Sequence, residues 1–267
     1  MTVKTIVFVM LENRSFDHLL GWLSLPPYGQ RADIEGLRGP VDPTSQELTE
    51  PSYRNFARLR AWRPYIVDRD VALATDVPHG RDMVRAQMHY AYTGALADAQ
   101  TGETYTREGF MMDGFADAYF AEHDMSWDLR PESMMIFPPN LIPATSFLAR
   151  GFMVCDRWFC SVPTDTHPNR IMSLTGYTKI DRTQGLPPDH DLVIDWCDQR
   201  QIRWRVYSDG FPFIAALRPR RFLFDHFLAR AAADVMRLGR AQAVQHLQAA
   251  LRFVNQATRH VERNKIG

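Results

Sequence analysis

The chain has 267 residues, of which 45% are apolar and 23% are charged, and its formal net charge at pH 7 is zero. These values are close to the average for globular proteins, and a chain of this length can bury a sizeable core without disulfide staples. A net charge of zero gives no reason to expect nucleic acid or an acidic partner, so we predict that the protein binds no nucleic acid. The three cysteines, Cys155, Cys160 and Cys197, have no repeating short spacing. This argues against a disulfide framework and against a Cys-rich zinc site.

The sequence also suggests where the protein works. No apolar run reaches the length needed to span a bilayer. The apolar stretch near the amino terminus is too short and too β-branched for a signal peptide, and no small-residue cleavage site follows it. We therefore predict a cytoplasmic protein.

The amino-terminal residues predict a strand, a turn and a helix. Residues 5–11, Thr-Ile-Val-Phe-Val-Met-Leu, form an apolar run rich in β-branched residues, which is typical of a strand buried in a parallel sheet. Beyond Glu12 and Asn13 the apolar residues have the spacing of one helix face: Phe16, Leu19, Leu20 and Leu23. Glu12 and Asn13 are therefore expected at the carboxyl end of the strand, where open α/β sheets bind their ligands.

The middle of the chain alternates between apolar and turn-rich segments. Residues 24–60 are rich in Pro, Gly and polar residues, which indicates a long surface excursion that covers or borders a site. A helix is expected with Pro168 in its first turn and Gly176 at its carboxyl-terminal cap. Further predicted helices are residues 80–98, 115–123 and 192–199, and further predicted strands are residues 152–159 and 202–207. This alternation predicts an α/β fold in which helices flank a mostly parallel sheet.

The carboxyl-terminal segment differs in composition. Residues 225–267 are rich in Ala, Arg and Gln, with a stripe of apolar residues that indicates an amphipathic helix with a basic outer face. We therefore predict two domains, an α/β domain over residues 1–224 and a helical tail over residues 225–267. A solvated helix explains the tail as well as contact with a membrane surface does.

Several polar residues are candidates for chemistry. Glu12 and Asn13 offer a carboxylate and an amide oxygen, which suit a hard or borderline cation, although Asn13 or Ser15 could instead cap the following helix. Thr166 lies where free backbone N–H groups at a helix start attract phosphate. The alternative is that Thr166 or one of the two residues before it caps that helix. His79, in a turn-prone segment, could act as an acid, a base or a phosphate contact.

Two long stretches resemble the signatures of a known family. Residues 6–18, IVFVMLENRSFDH, look like the opening signature of the bacterial and plant phosphoesterase family, which includes non-haemolytic phospholipases C and related acid phosphatases. Residues 155–170, CDRWFCSVPTDTHPNR, resemble its second signature. Shorter family landmarks occur in the expected order at residues 76–79, 112–115, 194–196 and 204–207. The resemblance covers about residues 3–225.

The resemblance implies an alkaline-phosphatase-like α/β core and a metal-dependent hydrolase of phosphoric esters. Its substrates would be phosphodiesters such as phospholipids, with phosphomonoesters as the nearer alternative. Glu12, Asn13 and Thr166 would bind a divalent metal ion. Thr166 would be the nucleophile that forms a phospho-threonine intermediate, and His79 would contact the phosphate or the leaving-group oxygen. Asn169 and Arg170 would fix the turn.

The chain also departs from the family pattern. Family members continue well beyond this length, and their later part supplies further acidic and histidine residues, including an Asp-Glu-x-x-Gly-Gly-like segment. No such segment follows Tyr207 here. We therefore expect that the carboxyl-terminal half of the family domain is missing and that the sheet is incomplete. This leaves a second function open, namely a truncated and catalytically inactive remnant that binds phosphate or lipid head groups without turnover.

Overall fold

The computed structural model describes residues 3–26, 28–69, 75–102, 104–123, 129–183, 191–207 and 213–217. The chain divides into two compact units, Met1–Thr164 and Asp165–Gly267. The predicted boundary between residues 224 and 225 lies outside the described residues, as does the predicted tail. Within these residues, no helix is both long enough and apolar enough to cross a bilayer.

The first unit contains both helices and short strands. Its helices are α1 (Phe16–Leu20), α2 (Arg81–Met88), α3 (Phe115–Glu122) and α4 (Pro143–Gly151), with 3-10 turns at Gly21–Ser24, Pro51–Tyr53 and Glu132–Met134. Its strands are β1 (Asn55–Ala57), β2 (Arg60–Trp62), β3 (Tyr65–Ile66), β4 (Tyr90–Ala97), β5 (Thr104–Phe110) and β6 (Met135–Ile136). Among the described residues the strands form pairs: β1 with β2 and β4 with β5 are antiparallel, and β3 with β6 is parallel. The α/β class is confirmed, and parallel pairing is present.

The parallel pair β3–β6 separates two hydrophobic clusters. Tyr65 and Met135 belong to one cluster, in which Trp62, Tyr119 and Phe120 from β2 and α3 are also buried. The next residues along the two strands, Ile66 and Ile136, belong to the other cluster. Because successive side chains of a strand point to opposite faces, a pair only two residues long supplies one layer to each core.

The second of these clusters corrects the prediction for residues 24–60. Leu25, Leu37 and Leu48 from this segment are buried against Ile66 and Ile136. The segment therefore forms part of the core rather than only a surface excursion. Its apolar residues are sparse and irregularly spaced, and each is buried by tertiary contact with the β3–β6 pair, so no local periodicity marked them.

The regular elements described in the second unit are helices. Its helices are α5 (Thr166–Thr175), α6 (Val193–Gln199) and α7 (Phe213–Leu217), and they pack through a cluster of buried residues: Ile171, Leu192, Ile194, Ile214 and Leu217. The helix α5 ends at Gly176, whose φ of 72° is left-handed and favours glycine. The predicted helices at Pro168–Gly176 and at residues 192–199 are confirmed, as is the predicted helix at residues 115–123 in the first unit.

Three predicted strands are not formed. Residues 5–11, 152–159 and 202–207 lie in no strand, and the apolar side chains of the first two segments face solvent, with Phe8 91% and Met153 89% exposed. A strand is stable only beside a partner that completes its hydrogen bonds, and no partner for these segments lies in the described part of the chain. The sequence pattern indicates the local preference for extended backbone, but it does not show whether a partner strand is available.

The predicted helix over residues 80–98 is half right. The helix α2 ends at Met88, and His89 adopts a φ of 36° before the chain enters β4. Residues 90–97 are then paired with β5, so cross-strand hydrogen bonds replace the predicted continuation of the helix.

We predict that His18 makes the stability of the first unit depend on pH. Its side chain is 4% exposed, its Nε2 donates to the Ser133 carbonyl at 3.2 Å, and burial lowers its pKa from 6.5 to about 4. The neutral ring therefore stabilises the fold fully above pH 6.5, and this contribution is lost as pH falls towards 4. The loss amounts to about 3 kcal/mol, because one pKa unit corresponds to about 1.4 kcal/mol.

Urea unfolding of the wild type and of His18→Gln at pH 7 and at pH 4 measures this contribution. The variant should lose about 3 kcal/mol less than the wild type over this range. Parallel losses in the two proteins would show that His18 does not titrate in this way.

We also predict that Gly114→Ala destabilises the fold. A Cβ at Gly114 would lie 2.0 Å from the backbone oxygen of Ala86, which cannot move without disturbing α2. Overpacking of this kind costs about 2 kcal/mol or more. The matched control is Gly151→Ala, because a Cβ at Gly151 meets nothing within 4 Å. Thermal unfolding should separate the two variants by several degrees, and equal melting temperatures would contradict the prediction.

Candidate active site

The loop at residues 75–79, which contains the predicted site residue His79, is anchored to the core at its start. The Thr75 hydroxyl lies 2.8 Å from the hydroxyl of Tyr119, a fully buried residue of α3. The backbone N–H of Thr75 donates to the carboxylate of Glu132 at 3.4 Å. The loop is therefore fixed against the same hydrophobic cluster that packs on β3 and β6.

Two further hydrogen bonds fix the backbone of this loop. The buried Gln87 on α2 donates from Nε2 to the Pro78 carbonyl at 2.6 Å. His123, which follows α3, donates from Nε2 to the Asp76 carbonyl at 2.8 Å. Because α2 and α3 hold these two carbonyls, the side chains of Asp76 and His79 project from a well-supported backbone.

His79 has a defined tautomer. Its Nδ1 lies 2.7 Å from the Val77 carbonyl oxygen, and a carbonyl only accepts, so Nδ1 bears the proton of the neutral ring. The other nitrogen, Nε2, then has the lone pair and can take up or release a proton. The side chain is 35% exposed, so a ligand could approach it.

The first signature meets this loop at Asp76. Asn13 donates from Nδ2 to Asp76 Oδ2 at 3.2 Å, although the two residues are 63 positions apart. The guanidinium of Arg14 lies 3.9 Å from the other carboxylate oxygen of Asp76. The structure therefore brings the predicted site residues Asn13 and His79 into one region of the first unit, through Asp76.

Ser15, and not Asn13, caps the helix α1. Ser15 is the N-cap of α1, and its Oγ accepts from the backbone N–H of His18 at 3.2 Å. Asn13 instead adopts a left-handed φ of 63°, which asparagine tolerates better than most residues. Glu12, the residue before it, is exposed.

Thr166 lies in the second unit, as the first residue of α5. The N-cap is Asp165, whose side chain makes no capping hydrogen bond and instead accepts from the Thr183 backbone N–H at 2.9 Å. Asn169 donates from Nδ2 to the Asp165 carbonyl at 3.0 Å, which fits the role in the turn that the resemblance implied. The helix start thus offers backbone donors next to the Thr166 hydroxyl.

Sequence reasoning missed three participants. Asp76 was noted only as part of a family landmark, and neither Arg14 nor His123 was assigned a role. The contact between His89 Nδ1 and the carboxylate of Asp113, which lie 2.6 Å apart, was also not anticipated. A carboxylate three residues before a candidate histidine was the available clue to Asp76, but its partner Asn13 is too distant in sequence to be inferred.

The predicted metal ligands agree in chemistry. Glu12, Asn13 and Thr166 offer carboxylate, amide and hydroxyl oxygens, the donors that hard cations prefer. In the described ranges, no three His, Cys, Asp or Glu side chains cluster so as to hold a metal ion. Glu12 and Asn13 belong to the first unit and Thr166 to the second, so their meeting around one ion stays a prediction.

Comparison with known proteins gives consistent relatives. The non-specific phospholipase C1 of Arabidopsis thaliana is 30% identical over 226 residues, which cover 81% of this chain and 37% of that protein. The non-hemolytic phospholipase C of Burkholderia pseudomallei is 28% identical, over 78% of this chain and 26% of that protein. Phospholipase C B of Mycobacterium tuberculosis is 26% identical, over 69% of this chain and 32% of that protein. The chain thus spans well under half of each relative's length.

The model of the Phosphoesterase family matches residues 3–256, which is most of the chain and includes part of the segment predicted as a tail. Both signatures, the loop at residues 75–79 and the helices of the second unit lie inside the matched range. The chain therefore belongs to the Phosphoesterase family.

Proposed function

We propose that this chain contributes to a metal-dependent phosphoric-ester hydrolase site of the phospholipase C type, with Thr166 as the nucleophile. Membership of the Phosphoesterase family and relatives named as phospholipases C support hydrolysis of a phosphoric ester. We propose phosphodiesters such as phospholipids as the substrates. A membrane surface would then be the place where the substrate is met.

The setting of Thr166 is the observation on which the proposal depends. A hydroxyl on the first residue of α5 lies beside backbone N–H groups that have no partner within the helix and that the N-cap side chain does not satisfy. Such a helix start attracts a phosphoryl group and stabilises negative charge on a nearby oxygen. The first turn of α5 thus provides both a hydroxyl nucleophile and backbone N–H groups that can bind an anion.

The other residues have complementary roles. Glu12, Asn13 and Thr166 would hold the divalent ion, which lowers the pKa of a bound hydroxyl and offsets charge on the phosphoryl oxygens. The side chain of His79, whose Nδ1 proton is held by the Val77 carbonyl, is 35% exposed, so a substrate could reach Nε2. When protonated, Nε2 can donate to the oxygen of the leaving group.

The reaction then has two steps. The Thr166 hydroxyl would lose its proton to solvent, its oxygen would attack phosphorus in line, and the bond to the leaving oxygen would break as that oxygen takes a proton from His79. Water would next attack the phosphorus bound to Thr166 and give a proton to His79. The bond from phosphorus to the Thr166 oxygen would then break, which releases a phosphomonoester from a phosphodiester substrate, or phosphate from a monoester, and the Thr166 oxygen would regain its proton.

A second candidate is an inactive remnant that binds phosphate or lipid head groups. It is favoured by the lack, among the residues that the structure describes, of a cluster of three or more His, Cys, Asp or Glu side chains. Binding of inorganic phosphate or of phosphatidylcholine vesicles without turnover would support this candidate over the hydrolase.

The direct test is hydrolysis of p-nitrophenyl phosphate and p-nitrophenyl phosphorylcholine with a panel of divalent metals. Thr166→Ala should lower kcat by about a thousandfold or more, because the attacking oxygen is removed. Thr166→Ser keeps that oxygen and should retain activity. Thr44→Ala, at an exposed position far from α5 in sequence, is the matched control and should leave kcat unchanged.

Two outcomes would contradict the proposal. Thr166→Ala as active as the control would remove Thr166 from the reaction. A folded wild-type protein that hydrolyses neither ester with any metal would favour the remnant.

For His79 we predict an effect that depends on the leaving group. His79→Gln should slow hydrolysis of an alkyl phosphodiester by about a hundredfold, because a poor leaving oxygen needs a proton. It should slow the p-nitrophenyl ester much less, since p-nitrophenolate leaves without one. Equal losses for both substrates, measured as kcat, would show that His79 is not the proton donor.

A further inference from the structure

We propose that Asp76 is a positioning residue that orients the side-chain amide of Asn13, so that its oxygen rather than its nitrogen faces the proposed metal ion. This inference rests on the proposed function for the role of Asn13. The orientation itself follows from contacts of the first unit alone.

The donor and acceptor chemistry fixes which end of the amide faces Asp76. An ionised carboxylate can only accept hydrogen bonds, so the atom 3.2 Å from Asp76 Oδ2 must be the donor Nδ2 of Asn13. The amide oxygen Oδ1 is then on the other branch of the planar group, outside this hydrogen bond. Only that oxygen can bind a cation, because the amide nitrogen has no available lone pair.

Asp76 is held firmly enough to act as the reference point. Its Oδ1 accepts from the Val77 backbone N–H at 3.0 Å, and its own carbonyl accepts from His123 at 2.8 Å. Arg14 lies 3.9 Å from Oδ1 and offsets the carboxylate charge. The carboxylate is therefore held in place.

Asn13, by contrast, follows an exposed segment. Residues 5–11 form no strand, and the helix that follows begins only after Ser15. Arg14 donates to the Asn13 carbonyl, which fixes its backbone but not its amide. Among the contacts that Asn13 makes with the described residues, only the hydrogen bond to Asp76 distinguishes the two amide orientations.

The same residue also lies beside His79. The Nδ1 atom of His79 is 4.0 Å from Asp76 Oδ2, the oxygen that accepts from Asn13. One carboxylate thus sets the spacing between a proposed metal ligand and the proposed proton donor. Partners of this kind, outside the ligand set, typically contribute about 10-fold to 100-fold in metal affinity.

Three variants test the inference. Asp76→Ala removes the acceptor, Asp76→Asn keeps a neutral acceptor of the same shape, and Asp82→Ala removes an exposed carboxylate in the first turn of α2 as the charge-matched control. The first measurement is the NMR signal of the Asn13 side-chain amide, assigned by its loss in Asn13→Asp. The second is the affinity for Mn²⁺ by calorimetry.

The expected results separate these variants. Asp76→Ala should shift the amide signal of Asn13 and weaken Mn²⁺ binding by about 10-fold or more. Asp76→Asn should recover part of both, and Asp82→Ala should alter neither by more than about twofold. An unchanged Asn13 amide signal in Asp76→Ala would overturn the inference. So would a loss of affinity no larger than in Asp82→Ala.

Failure of the proposed function gives a different pattern. A wild-type protein that binds no Mn²⁺ and hydrolyses no ester would contradict the hydrolase. The NMR signal of Asn13 would still show whether Asp76 orients the amide.

Discussion

The two-residue parallel pair β3–β6 is the contact on which the first unit depends. One residue of each strand faces each of two hydrophobic clusters, so the pair joins the core of β1, β2 and α3 to the core formed by residues 25–48. Beyond the end of β6, Phe137 donates its backbone N–H to the carbonyl of His18, a residue of α1, at 2.8 Å. The helix α1 is thereby tied to the same pair.

Both sides of the candidate site are anchored to this centre. Asn13 is placed through α1, which is hydrogen-bonded to the end of β6, and Asp76 is placed through Thr75 and the buried Tyr119 of α3. The hydrogen bond from Asn13 to Asp76 therefore connects two segments that are each anchored, by separate contacts, to the core around β3 and β6. The relative positions of Asn13 and Asp76 therefore depend on the packing of the hydrophobic core around β3 and β6.

The sequence predicted those features that are determined by neighbouring residues and missed those that are determined by contacts between distant parts of the chain. The helix from Pro168 to Gly176 was correctly predicted because both of its ends have local causes. The strand at residues 5–11 was wrong because extended backbone needs a partner that local pattern does not reveal. The core role of residues 24–60 and the contact of Asn13 with Asp76 depend on long-range packing. The cytoplasmic location and the metal site stay predictions.

The central claim is that Thr166 forms a covalent bond to phosphorus during turnover. Phosphothreonine is stable in acid, so the wild-type protein can be mixed with p-nitrophenyl phosphate and a divalent metal, quenched in acid during turnover and examined by peptide mass spectrometry. The account predicts one added phosphoryl group on the peptide that contains Thr166, absent from Thr166→Ala. Steady hydrolysis with no phosphoryl group on Thr166 at any quench time would contradict it.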